Sequence, residues 1–135
     1  IAMNYPNCYV ASVSMGANQN QVIQALTEAE NHNGPAIVIC YAPCINHGIN
    51  MSKTQEYEKD AVLSGYWPLY RFNPSLPEEK QLSIDPPFVS KDYTEFISSQ
   101  ARYFNLFKSN PEKAKQMAER AKLNRVKQLE NLKNK

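Results

Sequence analysis

Short apolar runs separated by one amphipathic stretch dominate the first forty residues. Residues 8–15 alternate apolar and small polar side chains and stop at Gly16, which predicts a β-strand. Asn18 and Gln21 then resemble a capping box, so we expect a helix to begin there. The sequence Asn33-Gly34-Pro35 predicts its end. One face of this predicted helix carries four apolar residues: Val22, Ile23, Leu26 and Ala29.

The next run, residues 36–41, is apolar throughout and β-branched at its centre. A run of this kind is typical of a strand that is covered on both faces in a parallel sheet. A strand, a helix and a second strand at this spacing predict one right-handed βαβ crossover.

Two more elements complete the predicted α/β part. Ser52 and Gln55 form a second capping-box pair, which predicts a helix running to Gly65. Residues 66–72 are a strand candidate, and Pro68 favours a position at the sheet edge. We therefore expect the α/β class, with a partial parallel sheet made of the βαβ unit, a further helix and an edge strand.

The second half of the chain changes in composition. Residues 75–90 are rich in proline and charge, which predicts a linker without regular structure. Ser90 or Asp92 can cap a helix with a bulky apolar face, and Pro111 occupies the favoured first position of another helix. We therefore divide the chain into an α/β part at residues 1–74, a linker at residues 75–90 and a helical C-terminal extension at residues 91–135.

Charge and length exclude several classes of protein. The 15 Lys+Arg against 13 Asp+Glu give a formal charge of +2, too small to predict nucleic-acid or membrane binding. No apolar run approaches the ~20 residues that a membrane-spanning helix needs. We expect no nucleic-acid partner, no membrane partner and a cytoplasmic location. With 135 residues and no initial methionine, the chain is expected to be a fragment or a processed product.

Three cysteines, Cys8, Cys40 and Cys44, are an odd number that argues against a disulfide framework. We expect two of them to be small buried hydrophobes. Cys44 follows the predicted buried strand, at the sheet end where open parallel sheets bind ligands. Pro43 and Gly48 would hold its loop in a defined turn.

Three interpretations of Cys44 are open on these residues alone. The thiol could fill space beneath a loop, since free cysteine is among the most buried residue types. It could bind a metal, but Cys40 and Cys44 form a C-x3-C pair that is not a recognised metal spacing, so any iron would need three ligands from outside the chain. It could also be a nucleophile activated by His47, although no orienting group is evident.

A second class of function is a non-catalytic interaction module. The bulky helical face between Phe96 and Phe107, together with the basic final helix, could bind a partner protein. Charges of both signs in that final helix also fit an ordinary solvated surface. The aromatic residues between Tyr66 and Phe72 are expected to be core rather than a base-stacking surface with Arg71.

Many of these residues together resemble one family. The similarity is carried above all by the loop from Tyr41 to Gly48, with the sequence Tyr-Ala-Pro-Cys-Ile-Asn-His-Gly after a βαβ unit. This pattern resembles the C-terminal part of the thiamine-diphosphate-binding domain of pyruvate:ferredoxin (flavodoxin) oxidoreductase, closely over the first 74 residues and later only in character. Further matching stretches are Ile1 to Tyr5, Tyr9 to Ala11, Ser14 to Ala17, Gly34 to Ala36, Gly65 to Trp67 and Leu69 to Pro74.

The resemblance implies a function for the whole parent enzyme. That enzyme would use thiamine diphosphate with Mg²⁺ to decarboxylate pyruvate oxidatively in the presence of coenzyme A. Electrons would pass through 4Fe-4S clusters to ferredoxin or flavodoxin, and the parent is expected to be a homodimer. Cys44 matches the last cysteine ligand of the cluster nearest the thiamine, whereas Cys8 and Cys40 match positions that are small or aliphatic. The thiamine motif and the other three cluster cysteines are absent from this sequence, so the chain alone is expected to be inactive.

Overall fold

The computed structural model describes residues 1–133 and contains a four-stranded sheet. Strand β1 (Tyr9–Val13) and strand β2 (Ala36–Cys40) are parallel, and helix α1 (Gln19–Asn31) connects them. Tyr9 lies opposite Ala36, and Val13 lies opposite Cys40. The predicted βαβ unit is therefore confirmed.

Helix α1 begins and packs largely as its sequence predicts. The Asn18 side chain accepts a hydrogen bond from the Gln21 backbone N–H, which satisfies one of the free donors at the helix start. The predicted apolar face is only partly correct, because Ile23 is 63% exposed and Leu26 is 53% exposed. The first core cluster consists of Tyr9, Ala11, Val13, Val22 and Ala25, with Ala29 and Val38 packed against it.

The other half of the sheet is antiparallel. Strand β3 (Tyr70–Phe72) pairs with β1, and strand β4 (Leu82–Ile84) pairs with β3, giving the order β2-β1-β3-β4. The strand expected at the edge is therefore interior, and the edge next to it belongs to β4. The expectation that residues 75–90 lack regular structure was wrong for β4. This strand has only three residues, and the proline-rich sequence on both sides of it gave no sign of a strand.

Strand β2 differs from its sequence-based expectation. Its apolar run predicts cover on both faces, but four of its five residues are exposed and Val38 is half-buried. Only Val38 packs against the first core cluster, on the side of the strand that α1 contacts. Within residues 1–133, β2 pairs with β1 and with no other strand.

Helix α2 (Thr54–Leu63) follows a short 3-10 turn at Met51–Lys53. The side chain that caps this region is Asn50, which accepts a hydrogen bond from the Ser52 backbone N–H. The prediction that Ser52 itself caps the helix was therefore wrong. The segment after α2 turns at Gly65, whose φ of 75° suits a residue without a side chain.

Three helices form the C-terminal region: α3 (Tyr93–Ser98), α4 (Ala101–Ser109) and α5 (Pro111–Lys133). Asp92 caps α3 by accepting from the Thr94 and Glu95 backbone N–H groups, as its sequence suggested. Phe96 and Ile97 of α3 form a second core cluster with Ala61 of α2 and Ala118 of α5. None of the helices in the described part of the chain has the length and apolar character needed to cross a membrane.

Candidate metal-binding loop at Cys44

Cys44 lies in the loop that leaves the carboxyl end of β2. It precedes a 3-10 turn at Ile45–His47, which ends at Gly48 with a left-handed φ of 70°. The Cys44 side chain is exposed, so the interpretation of a cysteine that fills space beneath the loop does not hold. Cys8 is buried as expected, but Cys40 is exposed, contrary to its predicted core role.

His47 stabilises the turn through the backbone of Cys44. The Cys44 backbone N–H donates a hydrogen bond of 3.2 Å to His47 Nδ1. This contact places the imidazole against the main chain, and no hydrogen bond described for residues 1–133 joins it to the Cys44 thiol. The geometry therefore favours a structural role for His47 over the activation of a nucleophile.

The end of the loop rests directly on helix α4. A Cβ atom added at Gly48 would lie 2.6 Å from the Cβ of Ala101, the first residue of α4. Because real Cβ atoms do not approach this closely, only glycine fits at this position without movement. The helical C-terminal region thus fixes the position of the loop that carries Cys44.

A cavity of about 300 Å³ lies beside Cys44, between this loop and α4. Asn46 and His47 line it from the loop, and Gln100 and Arg102 line it from the helical side. Tyr41 forms part of its wall, and burial is the main reason that the pKa of Tyr41 is raised to about 12; its neighbours Tyr66, Glu58 and Cys44 raise it further. The cavity therefore combines polar groups with a partly dehydrated aromatic wall.

The predicted core role of the aromatic residues between Tyr66 and Phe72 is confirmed in part, because Tyr66 and Trp67 are half-buried and pack against the second core cluster. The Trp67 indole N–H donates a hydrogen bond of 3.0 Å to the Val13 carbonyl. The rings of Tyr41 and Trp67 lie 5.4 Å apart, and those of Tyr66 and Phe96 lie 5.2 Å apart. These contacts connect the sheet, the Cys44 loop and α3 in one packed unit.

A buried carboxylate that the sequence did not reveal holds the end of β1. Glu58 of α2 is 7% exposed, and its Oε2 accepts a hydrogen bond of 2.6 Å from the Gly16 backbone N–H. A Cβ at Gly16 would lie 2.4 Å from the Gln55 carbonyl oxygen. The segment from Met15 to Asn18 therefore forms a close contact between a turn and α2.

The donor atoms around Cys44 are too few for a complete metal site. Residues 1–133 contain no group of three or more His, Cys, Asp or Glu side chains placed to bind a metal ion. One exposed thiol on a fixed loop suits a single corner of an iron-sulfur cluster, whose remaining ligands are ordinarily also cysteines. A cluster bound at Cys44 would need three further ligands from outside residues 1–133.

Comparison with known proteins gives the chain its relatives. No family model matches it. It is 45% identical to pyruvate:ferredoxin oxidoreductase of Moorella thermoacetica over 98% of the chain, and 44% identical to pyruvate-flavodoxin oxidoreductase of Nostoc sp. over 90% of the chain. The chain is homologous to one part of these pyruvate oxidoreductases. It spans only 12% and 10% of the length of these two relatives.

The similarity to the pyruvate oxidoreductases extends beyond the first 74 residues. The matches cover nearly the whole chain, including the helices after the proline-rich segment. A mitochondrial pyruvate dehydrogenase (NADP⁺) of Euglena gracilis is also 40% identical over 96% of the chain, which spans 8% of that protein. The names of the relatives share pyruvate but differ in the electron acceptor, so the similarity does not select one acceptor.

Proposed function

We propose that this chain is part of a cytoplasmic, homodimeric 2-oxoacid oxidoreductase that converts pyruvate and coenzyme A to acetyl-CoA and reduces ferredoxin or flavodoxin. The proposal is supported by relatives named for pyruvate oxidation that match nearly the whole chain. Residues 1–74 would form the C-terminal part of its thiamine-diphosphate-binding domain, followed by the linker at residues 75–90 and the helical extension at residues 91–135. The chain alone would be inactive, because the Mg²⁺ and thiamine motifs would lie elsewhere in the parent enzyme.

Within this enzyme, Cys44 would supply one thiolate ligand to the 4Fe-4S cluster nearest the thiamine. The observation that carries this assignment is an exposed thiol at the carboxyl end of β2, on a loop fixed by His47 and by the contact of Gly48 with Ala101. An iron-sulfur cluster accepts and donates single electrons. Cys44 would hold one iron, and the wall at Tyr41 would limit the access of water to that side of the site.

The test compares two exposed cysteines that lie four residues apart. In the full-length parent enzyme, Cys44→Ala and Cys44→Ser are compared with Cys40→Ser after anaerobic reconstitution with iron and sulfide. Iron and sulfide content and the low-temperature electron paramagnetic resonance spectrum are measured. We expect Cys44→Ala to lose the signal of one cluster and Cys44→Ser to change it, because an oxygen ligand differs from a thiolate.

Cys40→Ser is expected to leave both the cluster content and the spectrum at wild-type values. Unchanged content and spectra in both Cys44 variants would refute the ligand assignment. A loss that is equal in Cys44→Ala and Cys40→Ser would indicate general damage to the β2 loop, and would also count against a specific role for Cys44.

The two alternative functions receive less support. A free helical interaction module requires an available bulky face, but Phe96 is 7% exposed and Ile97 is 2% exposed, both in the second core cluster, so the face is reduced to residues of α4 such as Phe104, which is 50% exposed. A cysteine nucleophile requires an imidazole directed at the thiol, whereas His47 accepts a hydrogen bond from the main chain. Slow alkylation of Cys44 across neutral pH would remove the second alternative.

A further inference from the structure

The outer edge of β2 has the composition of an interior strand. Its five residues are Ala36, Ile37, Val38, Ile39 and Cys40. Ile37 is 43% exposed and Ile39 is 42% exposed, and the strand contains no charge and no proline. Proteins ordinarily protect the free edge of a sheet with charged residues, proline, bulges or a covering segment, because an open apolar edge can pair with another strand.

The hydrogen bonds of β2 identify which backbone groups remain available. Tyr41 N–H donates to the Val13 carbonyl, and the Pro35 carbonyl accepts from Tyr9 N–H, so the odd-numbered residues face β1. Backbone groups alternate in direction along a strand that pairs on one side. The N–H and C=O groups of Val38 and Cys40 therefore point away from β1, toward the outer edge.

We propose that this edge pairs with a further β-strand, parallel to β2, supplied by the part of the parent polypeptide outside residues 1–135. The first three relatives are eight to twelve times longer than the matched stretch, so a covering segment from the same polypeptide is available. The parallel direction follows from the continuous apolar run and from the parallel pairing of β1 with β2. The connections that parallel strands require would also cover Ile37 and Ile39.

The added strand has a consequence for the Cys44 loop. Parallel strands lie about 4.8 Å apart and end at the same edge of the sheet. The segment that follows the added strand would therefore emerge beside Cys44, where the remaining cluster ligands are needed. This consequence rests on the proposed function, whereas the strand pairing itself depends only on the homology to longer proteins.

A second copy of the chain is a less suitable occupant. Most homodimers have two-fold symmetry, which would pair the two β2 edges antiparallel. Such pairing would leave the Cys44 loop at the far end of the partner strand, and would supply no new segment at its side. The covering strand is therefore assigned to the parent polypeptide.

Hydrogen exchange of the full-length parent enzyme tests the pairing. The amides of Val38 and Cys40 should exchange about 100-fold or more slowly than in an unstructured peptide, in the range of the Ile37 and Ile39 amides that face β1. Exchange of Val38 and Cys40 at the rate of an unstructured peptide, with Ile37 and Ile39 still protected, would overturn the proposal.

Photo-cross-linking identifies the occupant. A diazirine analogue of leucine is placed at Ile37 or Ile39 of the full-length enzyme, and the linked residues are located by mass spectrometry. We expect links to a strand and to its covering connection outside residues 1–135, with the linked position within that strand rising along the sequence from Ile37 to Ile39. A falling position within the strand would overturn the parallel direction, and links to β2 of a second copy, or to no segment outside residues 1–135, would overturn the occupant.

The two proposals can fail separately. Cluster content in the Cys44 variants does not depend on the exchange rates of Val38 and Cys40. A protected edge in an enzyme whose clusters are unaffected by Cys44→Ala would retain the strand and reject the ligand. The reverse combination would retain the ligand and reject the strand.

Discussion

Gly48 shows at the scale of one residue why the Cys44 loop needs a glycine. Its φ of 70° is unfavourable for residues with a side chain, and the Ala101 Cβ occupies the space that its own Cβ would need. A glycine after Cys44 was evident in the sequence, but Ala101 was not, because 53 positions separate the two residues. Sequence reasoning thus predicted the turn and missed its contact with α4.

Gly48→Ala is expected to destabilise the chain by about 1–3 kcal/mol, because it adds left-handed backbone strain to a steric contact with α4. Urea unfolding monitored by circular dichroism measures the loss. In the double variant Gly48→Ala/Ala101→Gly the steric contact is gone and the backbone strain remains. Its loss in the free energy of unfolding should therefore be smaller than the sum of the losses in the two single variants. Additive effects of the two substitutions would show that the contact with α4 is not the cause.

The partners of buried charged side chains are the other residue-level feature that could not be predicted from the sequence. Arg71 and Glu58 are remote in sequence from the groups they contact, and neither was assigned a partner from sequence patterns. Cys44, in contrast, was singled out from its own loop and its position after a strand. Local chemistry was therefore visible in the sequence, whereas the tertiary partners of charged side chains were not.

An ion-pair network connects the secondary-structure elements of the α/β part. Arg71 of β3 donates two hydrogen bonds to Asp85, at 2.8 Å and 2.9 Å, and a third to Glu28 of α1. Tyr9 of β1 donates to the same Glu28 carboxylate at 2.9 Å, and Gln21 donates to Asp85 at 3.0 Å. Two strands, one helix and the segment after β4 thus meet at one guanidinium group.

Arg71→Ala is expected to destabilise the chain by about 3–5 kcal/mol, because it leaves the mostly buried Asp85 carboxylate without its cation. Arg71→Lys keeps the charge but loses the paired geometry, and should fall between Arg71→Ala and wild type. Lys53→Ala provides the control, since Lys53 and Glu56 form an exposed pair worth less than about 1 kcal/mol. Equal losses in thermal or urea unfolding for Arg71→Ala and Lys53→Ala would contradict the structural role of the network.

Element predictions succeeded where periodicity was strong. The βαβ unit, the start of α1 at Asn18 and the start of α5 at Pro111 were all predicted from local sequence. Strand β4 was missed because three residues cannot establish a period of two between proline-rich flanks. The exposure of β2 was missed for a different reason, since its sequence matches an environment that residues 1–133 do not provide.

The helical C-terminal region and the α/β part are joined by polar as well as apolar contacts. Lys91 pairs with Asp60 of α2 at 2.6 Å, whereas the pair of Lys122 with Asp92 at 2.5 Å lies within the helical region and ties α5 to the start of α3. Arg125 donates a hydrogen bond to the Tyr66 carbonyl, close to the aromatic cluster behind Cys44. Because the Cys44 loop lies between these two regions, conditions that loosen their packing should also release the loop.

Alkaline pH tests this whole-molecule packing through Tyr41. Its pKa is raised to about 12, chiefly by burial beside Tyr66 and Trp67, from an unfolded value of about 10. The folded chain therefore holds this proton more tightly than the unfolded chain. Tyr41 contributes its full stabilisation below about pH 10 and loses it progressively as the pH rises toward 12.

The free energy of unfolding of the wild-type chain should consequently fall more steeply between about pH 10 and pH 12 than that of Tyr41→Phe, which has no phenolic proton in this region. Urea unfolding at a series of alkaline pH values measures both curves. Lysines, thiols and the remaining tyrosines titrate in both proteins, so their contributions cancel when the two curves are subtracted. Parallel curves across this range would mean that Tyr41 is as accessible to water in the folded chain as in the unfolded chain, and that the wall beside Cys44 does not exclude solvent.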